Sequence, residues 1–240
     1  MRALAVALLA LALAPAAAAK PHVLLFTKTA AFRHDSIPAA VQALSARPDF
    51  AADHTEDAGA FTDANLARYD VVVFLMTTGD VLDAAQQAAM ERFVRSGGGF
   101  VGVHSAADTE YGWPWYGQLL GTWFKTHPAV QQATLDVVDP SSPATAGLPR
   151  QWTRTDEWYA FRTQPQGVHV LLTIDESTYQ PGDAAMGASH PIAWEHDFDG
   201  GRAFYTALGH IPASYSDQNF LHHIYGGIYW AATGKGFKAE

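Results

Sequence analysis

Three short apolar runs separated by helix-like segments constrain this chain more than any other feature. HVLLF (22–26), VVVFL (71–75) and GFVGV (99–103) contain no polar residue after the opening His22. A strand with one face in water alternates polar and apolar residues, whereas a strand covered on both faces has no need to. Between the runs lie IPAAVQALSA, opened by Ser36 and Pro38, and DAAQQAAMERFVRS, opened by Asp83 and ended by Gly97, Gly98 and Gly99. In the latter, Ala85, Ala89 and Phe93 recur at the spacing of one helix face. A weaker strand is expected near Phe50–His54. This strand–helix alternation predicts an α/β fold: a mainly parallel sheet with helices on both faces.

The second half is richer in strands. AVQQATLDVVD, VHVLLTID (168–175), PIAWEHDF and RAFYTALG (202–209) all read as extended, and Asp199-Gly200-Gly201 joins the last two as a hairpin. From about Asp217, the residues Phe220, Leu221, Ile224, Tyr225, Ile228 and Tyr229 form an apolar stripe, predicting a helix docked on the sheet. No repeat or linker divides residues 20–240, which are expected to form a single domain.

The first nineteen residues stand apart. Arg2, a continuous apolar stretch and Ala17-Ala18-Ala19 before Lys20 have the layout of a secretory signal peptide. The competing reading is a membrane anchor, which needs about 20 apolar residues; Pro15 and the small residues before Lys20 favour cleavage. The expectation is an exported protein, periplasmic or extracellular, with no stable membrane insertion after cleavage. It contains no cysteine, so its stability outside the cell must come from its core and not from disulfides. With 24 acidic against 15 basic residues and no basic cluster, nucleic acid is excluded as a partner.

In a sheet of this kind ligands bind beyond the carboxyl ends of the strands. Lys28, Arg33 and His34 follow the first run; Thr77, Thr78 and Asp80 follow the second. His104, Ser105, Asp108 and Glu110 follow the third, and His210 follows RAFYTALG. His104 has two readings. It is a hydrogen-bonded structural group, or it is displayed on a tight elbow built from the small residues Ser105, Ala106 and Ala107, with Asp108 one turn on to orient the ring. His127 and His190 each precede a proline. In TRTDEWYAFR an extended backbone would send Asp156 and Glu157 to opposite faces, so that at most one of them enters a pocket, while Arg154 and Arg162 pair with the acids. GxSxG, Walker, HExxH and CxxC motifs are all absent. His34, His104, His127 and His210, with a carboxylate, have the donors for a divalent metal, but their spacing does not require one.

FTKTAAFRHDSIP, VVVFLMTTGDVLD, GGGFVGVHSAADTEYGWPWY, FKTHPAV, TDEWYAFR, HPIAWEHDFDGGRAFYTALGH and GGIYWAA resemble the ThuA-like family, named for trehalose utilisation, from His22 to Thr233. The resemblance implies a flavodoxin-like fold similar to class I glutamine amidotransferases. It places His104 where those enzymes carry their nucleophilic cysteine, and His210 near their histidine. Thiolate acyl transfer is therefore excluded, and a role in sugar metabolism is implied. On this reading the protein acts on a disaccharide, a glycoside or its keto derivative by histidine acid/base chemistry. His104 is the acid/base, Asp108 its orienting group and His210 the partner acid. Lys28, Arg33, His34, Glu110, His127, Glu157 and His190 are assigned to substrate binding, with Trp113 and Trp158 as sugar-facing walls. The alternatives are a non-catalytic carbohydrate-binding protein and a metal-dependent hydrolase.

Overall fold

Strand β1 (His22–Phe26) opens the computed structural model, which describes residues 20–235; the expected signal peptide, residues 1–19, lies outside them. Helix α1 (Ile37–Ser45), β2 (Ala51–Thr55), α2 (Asp63–Leu66), β3 (Val71–Leu75), α3 (Ala84–Arg95) and β4 (Gly99–Val103) complete the alternating half. A tight 3-10 turn (His104–Asp108) leads to α4 (Pro114–Leu120) and β5 (Phe124–Thr126). Then come β6 (Gln131–Val137), β7 (Gln151–Asp156), β8 (Ala160–Phe161), β9 (His169–Asp175), β10 (Pro191–Phe198), β11 (Gly201–Thr206) and α5 (Gln218–Thr233).

Nine strands form one sheet in the order β2-β1-β3-β4-β11-β10-β9-β6-β7, and β5 pairs with β8 apart from it. The pairs from β2 to β11 are parallel and those from β11 to β7 antiparallel. Two reversals restore direction, so only β10 and β6 run against the rest. Hence β1, β3, β4, β11 and β7 all end at the same edge. The sheet also curls: Asp156, ending the outermost strand, accepts hydrogen bonds from the backbone of Gly209 and His210 beyond β11.

Local chemistry accounts for the elements. The β1, β3 and β4 side chains are buried almost without exception, as their uniform apolar character requires. Asp83 accepts the N–H groups of Ala85 and Gln86 while Gln86 accepts that of Asp83, a reciprocal cap that fixes the start of α3. Asp199 and Gly200 both have positive φ, 48° and 96°, the two-residue turn whose twist suits a hairpin. Gly99 lets α5 lie directly on β4, since a Cβ there would sit 2.4 Å from the Ala231 carbonyl oxygen.

Helix α4 was not expected. Pro114 starts it with a preset φ, and its short length carries no periodic signal. Trp113 is buried at its entry, stacked on Trp115 and Tyr116 at centroid distances of 5.2 and 5.7 Å. It is a packing residue, not a sugar-facing wall.

His223 in α5 predicts an acid-sensitive core. Its Nδ1 bonds the Ala144 carbonyl and its Nε2 the Thr206 hydroxyl, and burial, with Arg154 and His222 nearby, pushes its imidazole down from the ordinary 6.5 to about 4. Between those values the unfolded chain holds the proton that the folded one refuses. Stability from this site is therefore complete above pH 6.5 and is lost as pH falls toward 4, by up to about 3 kcal/mol. Urea unfolding at pH 7 and pH 4.5 should show a steeper loss for the wild type than for His223→Gln; equal losses would refute the assignment.

Candidate functional site

Four side chains from four strand ends meet at the shared carboxyl edge. His34 follows β1, His104 follows β4, Glu157 follows β7 and His210 follows β11. Their donor atoms all lie within 4.8 Å of one another. His104 and His34 are buried, at 0% and 4% exposure, as is Glu157 at 7%.

His104 occupies the elbow with φ of 52°, a left-handed conformation uncommon for a non-glycine residue. Its carbonyl accepts the Tyr205 hydroxyl at 2.9 Å, and the buried Ala106 and Ala107 leave room for the turn. The ring stacks on Tyr159 at 4.2 Å. Nδ1 lies 2.7 Å from the Ala207 carbonyl, which can only accept, so Nδ1 carries the hydrogen and Nε2 offers a lone pair. That Nε2 is 3.2 Å from His210 Nδ1 and 3.4 Å from Glu157 Oε2. His210 Nδ1 is 3.3 Å from the same Oε2, and the His34 Nδ1 is 3.3 Å from Ser105 Oγ.

The charges are coupled. Burial, reinforced by His104 and His210, pushes the His34 imidazole down to about 3. Burial opposes charge on Glu157, but hydrogen bonds from His210 and, when its ring carries a second hydrogen on Nε2, from His104 prevail and hold the carboxyl well below the usual range. Glu157 in turn raises His210. The site thus keeps an ionised carboxylate among imidazoles.

His34, Glu157 and His210 form the floor of a cavity of about 220 Å³, with His104 buried behind them and walls that include Phe32, Asp108, Phe124, His127 and Tyr159. A larger concavity, about 580 Å³, lies between α4 and β10. Its one imidazole, His196, already donates to the Leu119 carbonyl, and no comparable set of donors converges there. The chemistry is in the smaller cavity.

Several expected assignments are corrected by this geometry. Asp108 lines the cavity but does not orient His104: the Ala207 carbonyl does, and Asp108 accepts the Tyr111 hydroxyl at 2.7 Å instead. Glu110 is buried, bonding the N–H groups of Val81 and Leu82, and serves as a loop staple. Lys28 donates to the Val81 carbonyl, and Arg33 pairs with Glu56 in solvent. His190 is buried between Glu176 and the Tyr159 carbonyl, where it supports the segment behind the cavity. Trp158 is fully buried with its indole N–H on the Gln131 carbonyl, so it is no sugar wall. His127 is on the rim, 3.0 Å from Glu157 Oε1. Arg154 does pair with Asp156, whereas Arg162 lies over the Tyr111 ring. The aromatic walls Phe32 and Phe124 were not foreseen; Phe32 stands 64% exposed beside His34.

A family model described as ThuA, trehalose utilisation, matches residues 22–231. The chain belongs to the ThuA family. Among solved structures, a ThuA-like protein from Bacteroides uniformis ATCC 8492 is 24% identical with a TM-score of 0.75, covering 91% of this chain and 94% of that one. A ThuA-like protein from Parabacteroides merdae ATCC 43184 is 22% identical with a TM-score of 0.77, covering 92% and 93%. The chain also resembles part of a beta-galactosidase from Bacillus circulans sp. alkalophilus, at 15% identity and a TM-score of 0.58, covering 89% of this chain and 31% of that one. No curated protein matches. The structural likenesses show the flavodoxin-like, amidotransferase-like fold alone; the ThuA match adds a sugar-related role. The elbow that holds the nucleophile in amidotransferases here presents a ligand-type nitrogen to a carboxylate and two further imidazoles.

Proposed function

We propose that this chain is an exported enzyme acting on a disaccharide or glycoside in its keto form, by removing a proton from the carbon next to the carbonyl. The observation that carries the reading is the convergence of His34, His210 and Glu157, backed by the buried His104, on the floor of a cavity that the Asp108 carboxylate, bonded through one oxygen to Tyr111, also lines. A carbonyl oxygen against His210, whose imidazole Glu157 holds toward its charged form, is polarised there, and the adjacent C–H is acidified. Asp108 takes that proton, leaving an enolate whose oxygen rests on the cluster. Moving the neighbouring hydroxyl proton to the enolate oxygen and returning the carbon-bound proton to the former carbonyl carbon gives the isomer, whereas re-forming the carbonyl with loss of a leaving group one carbon further on gives elimination; both share this first step.

The size of the cavity supports a sugar. At about 220 Å³ it is smaller than the ~300–1,000 Å³ that drug-sized ligands occupy, and suits one ring. The exposed Phe32 at the rim offers a flat apolar face to the second ring. Export follows from the sequence of residues 1–19, and a mature product beginning near Lys20 by N-terminal sequencing would support it.

Incubation with a panel of disaccharides and their keto derivatives, followed by mass spectrometry and chromatography, tests the reading. A keto disaccharide should be isomerised or cleaved and its parent left intact. Saturable binding of the panel with no change in any member would favour the carbohydrate-binding alternative.

A further inference from the structure

We infer that His34, His104, His210 and Glu157 form a binding site for one divalent first-row transition-metal cation. The assignment deepens the functional reading by naming what carries positive charge at the cluster, and rests on that reading only for the cation's role.

The distances carry the argument. Donors held at ~2.0–2.1 Å from one tetrahedral centre are themselves ~3.3–3.4 Å apart. His104 Nε2, His210 Nδ1 and Glu157 Oε2 are separated by 3.2, 3.4 and 3.3 Å, three edges of such a tetrahedron. A nitrogen of His34 lies within the same 4.8 Å cluster, on the side where a fourth donor is needed, and reaches a cation there by a small shift of its ring. The electron pairs point the same way. The Ala207 carbonyl fixes a hydrogen of His104 on Nδ1, so in the neutral ring the Nε2 lone pair and the Glu157 carboxylate face each other as two acceptors, joined only by a proton or a cation. A proton on His210 Nδ1 serves one of these acceptors at the expense of the other and gives His34 no part. A cation serves all four.

The surroundings have the features of a built metal centre. Metal-ligating histidines commonly pass their other N–H to a carbonyl or carboxylate, which fixes the tautomer. His104 does so to Ala207, and the Ser105 hydroxyl lies beside His34 Nδ1. Asp156 holds the backbone of His210, and Tyr159 stacks on His104. Each ligand comes from the end of a different strand, so the sheet sets the spacing. Imidazole and carboxylate donors without thiolate suit zinc, manganese or iron(II), not the soft cations.

The full chain, treated with chelator and dialysed, is titrated with Zn²⁺ and separately with Mn²⁺ by calorimetry, and bound metal is counted by mass spectrometry. One equivalent of at least one metal, micromolar or tighter, is expected, with the His34→Gln/Glu157→Gln double variant weakened at least ~100-fold. Absence of stoichiometric binding by the wild type overturns the site, and so does undiminished binding by the folded double variant. If that variant fails to fold, the Co²⁺ spectrum of the wild type decides. Ligand-field bands and shifted imidazole proton signals are expected from a nitrogen–oxygen site, and a spectrum of hexaaqua cobalt overturns it. Because no sugar is present, the outcomes separate. Sugar turnover without metal binding removes only this inference, and metal binding without sugar turnover removes only the functional reading.

Discussion

His104→Asn is expected to lower turnover of a keto disaccharide by on the order of 10²–10³-fold, while the protein still folds. Asparagine is the replacement the geometry selects. Its amide nitrogen lies where Nδ1 does and can keep donating to the Ala207 carbonyl, now 2.7 Å away. It also tolerates the positive φ of 52° better than other side chains. What it lacks is the Nε2 lone pair facing His210 and Glu157. Loss of the ring leaves a gap against Tyr159, so a modest drop in melting temperature accompanies the loss of turnover. Turnover and thermal unfolding measured on one preparation check both. A variant that unfolds earlier yet turns over normally per folded molecule would make His104 structural.

Asp156→Ala should be the most destabilising single change near the site. Asp156 is fully buried and bonds the N–H groups of Gly209 and His210, each at 3.0 Å. It also faces Arg154 at 3.0 Å, itself only 7% exposed and held by the Ser214 hydroxyl at 2.6 Å. Its removal leaves a buried guanidinium with only Asp217, at 3.5 Å, and the Ser214 hydroxyl, and strands two backbone donors, which costs roughly 3–5 kcal/mol. For a domain of this size that is about 6–20 °C in melting temperature. The same carboxylate ties the far edge of the sheet to the loop carrying His210, so turnover should fall beyond what instability explains. Thermal unfolding checks the first effect, and turnover of Asp156→Asn, which keeps one acceptor, checks the second. A shift below 2 °C would show that the pair does not hold the two edges together.

The first half of the fold was legible because fully buried strands leave an unmistakable apolar run, and capped helices announce their ends. The β10–β11 hairpin was legible from Asp199-Gly200. Helix α4 was not, since a one-sided helix this short has no period to read. The site was partly legible: His34, His104 and His210 were named because each follows a strand at the carboxyl edge. The role of Glu157 was hidden, because nothing in its neighbours tells that β7 is the outermost strand and that the sheet curls to bring its end back to β11. The partner of His104 was invisible for a simpler reason. A backbone carbonyl such as that of Ala207 has no signature in sequence, whereas Asp108 at one helical turn looks like a partner and is not one. Lys28, Glu110 and His190 were named by position and are employed in holding loops, which charge alone does not reveal.

The central claim is that the cavity removes a proton next to a sugar carbonyl. It is tested most directly by incubating wild-type protein and Asp108→Asn with a 3-keto disaccharide in deuterated water and following the ring protons by NMR. The account predicts protein-dependent loss of the signal beside the carbonyl, as deuterium enters either the substrate or its product, and at least ~10²-fold slower loss with Asp108→Asn. A proton signal that persists at the buffer rate with folded wild-type protein, or that disappears equally fast with Asp108→Asn, would contradict it.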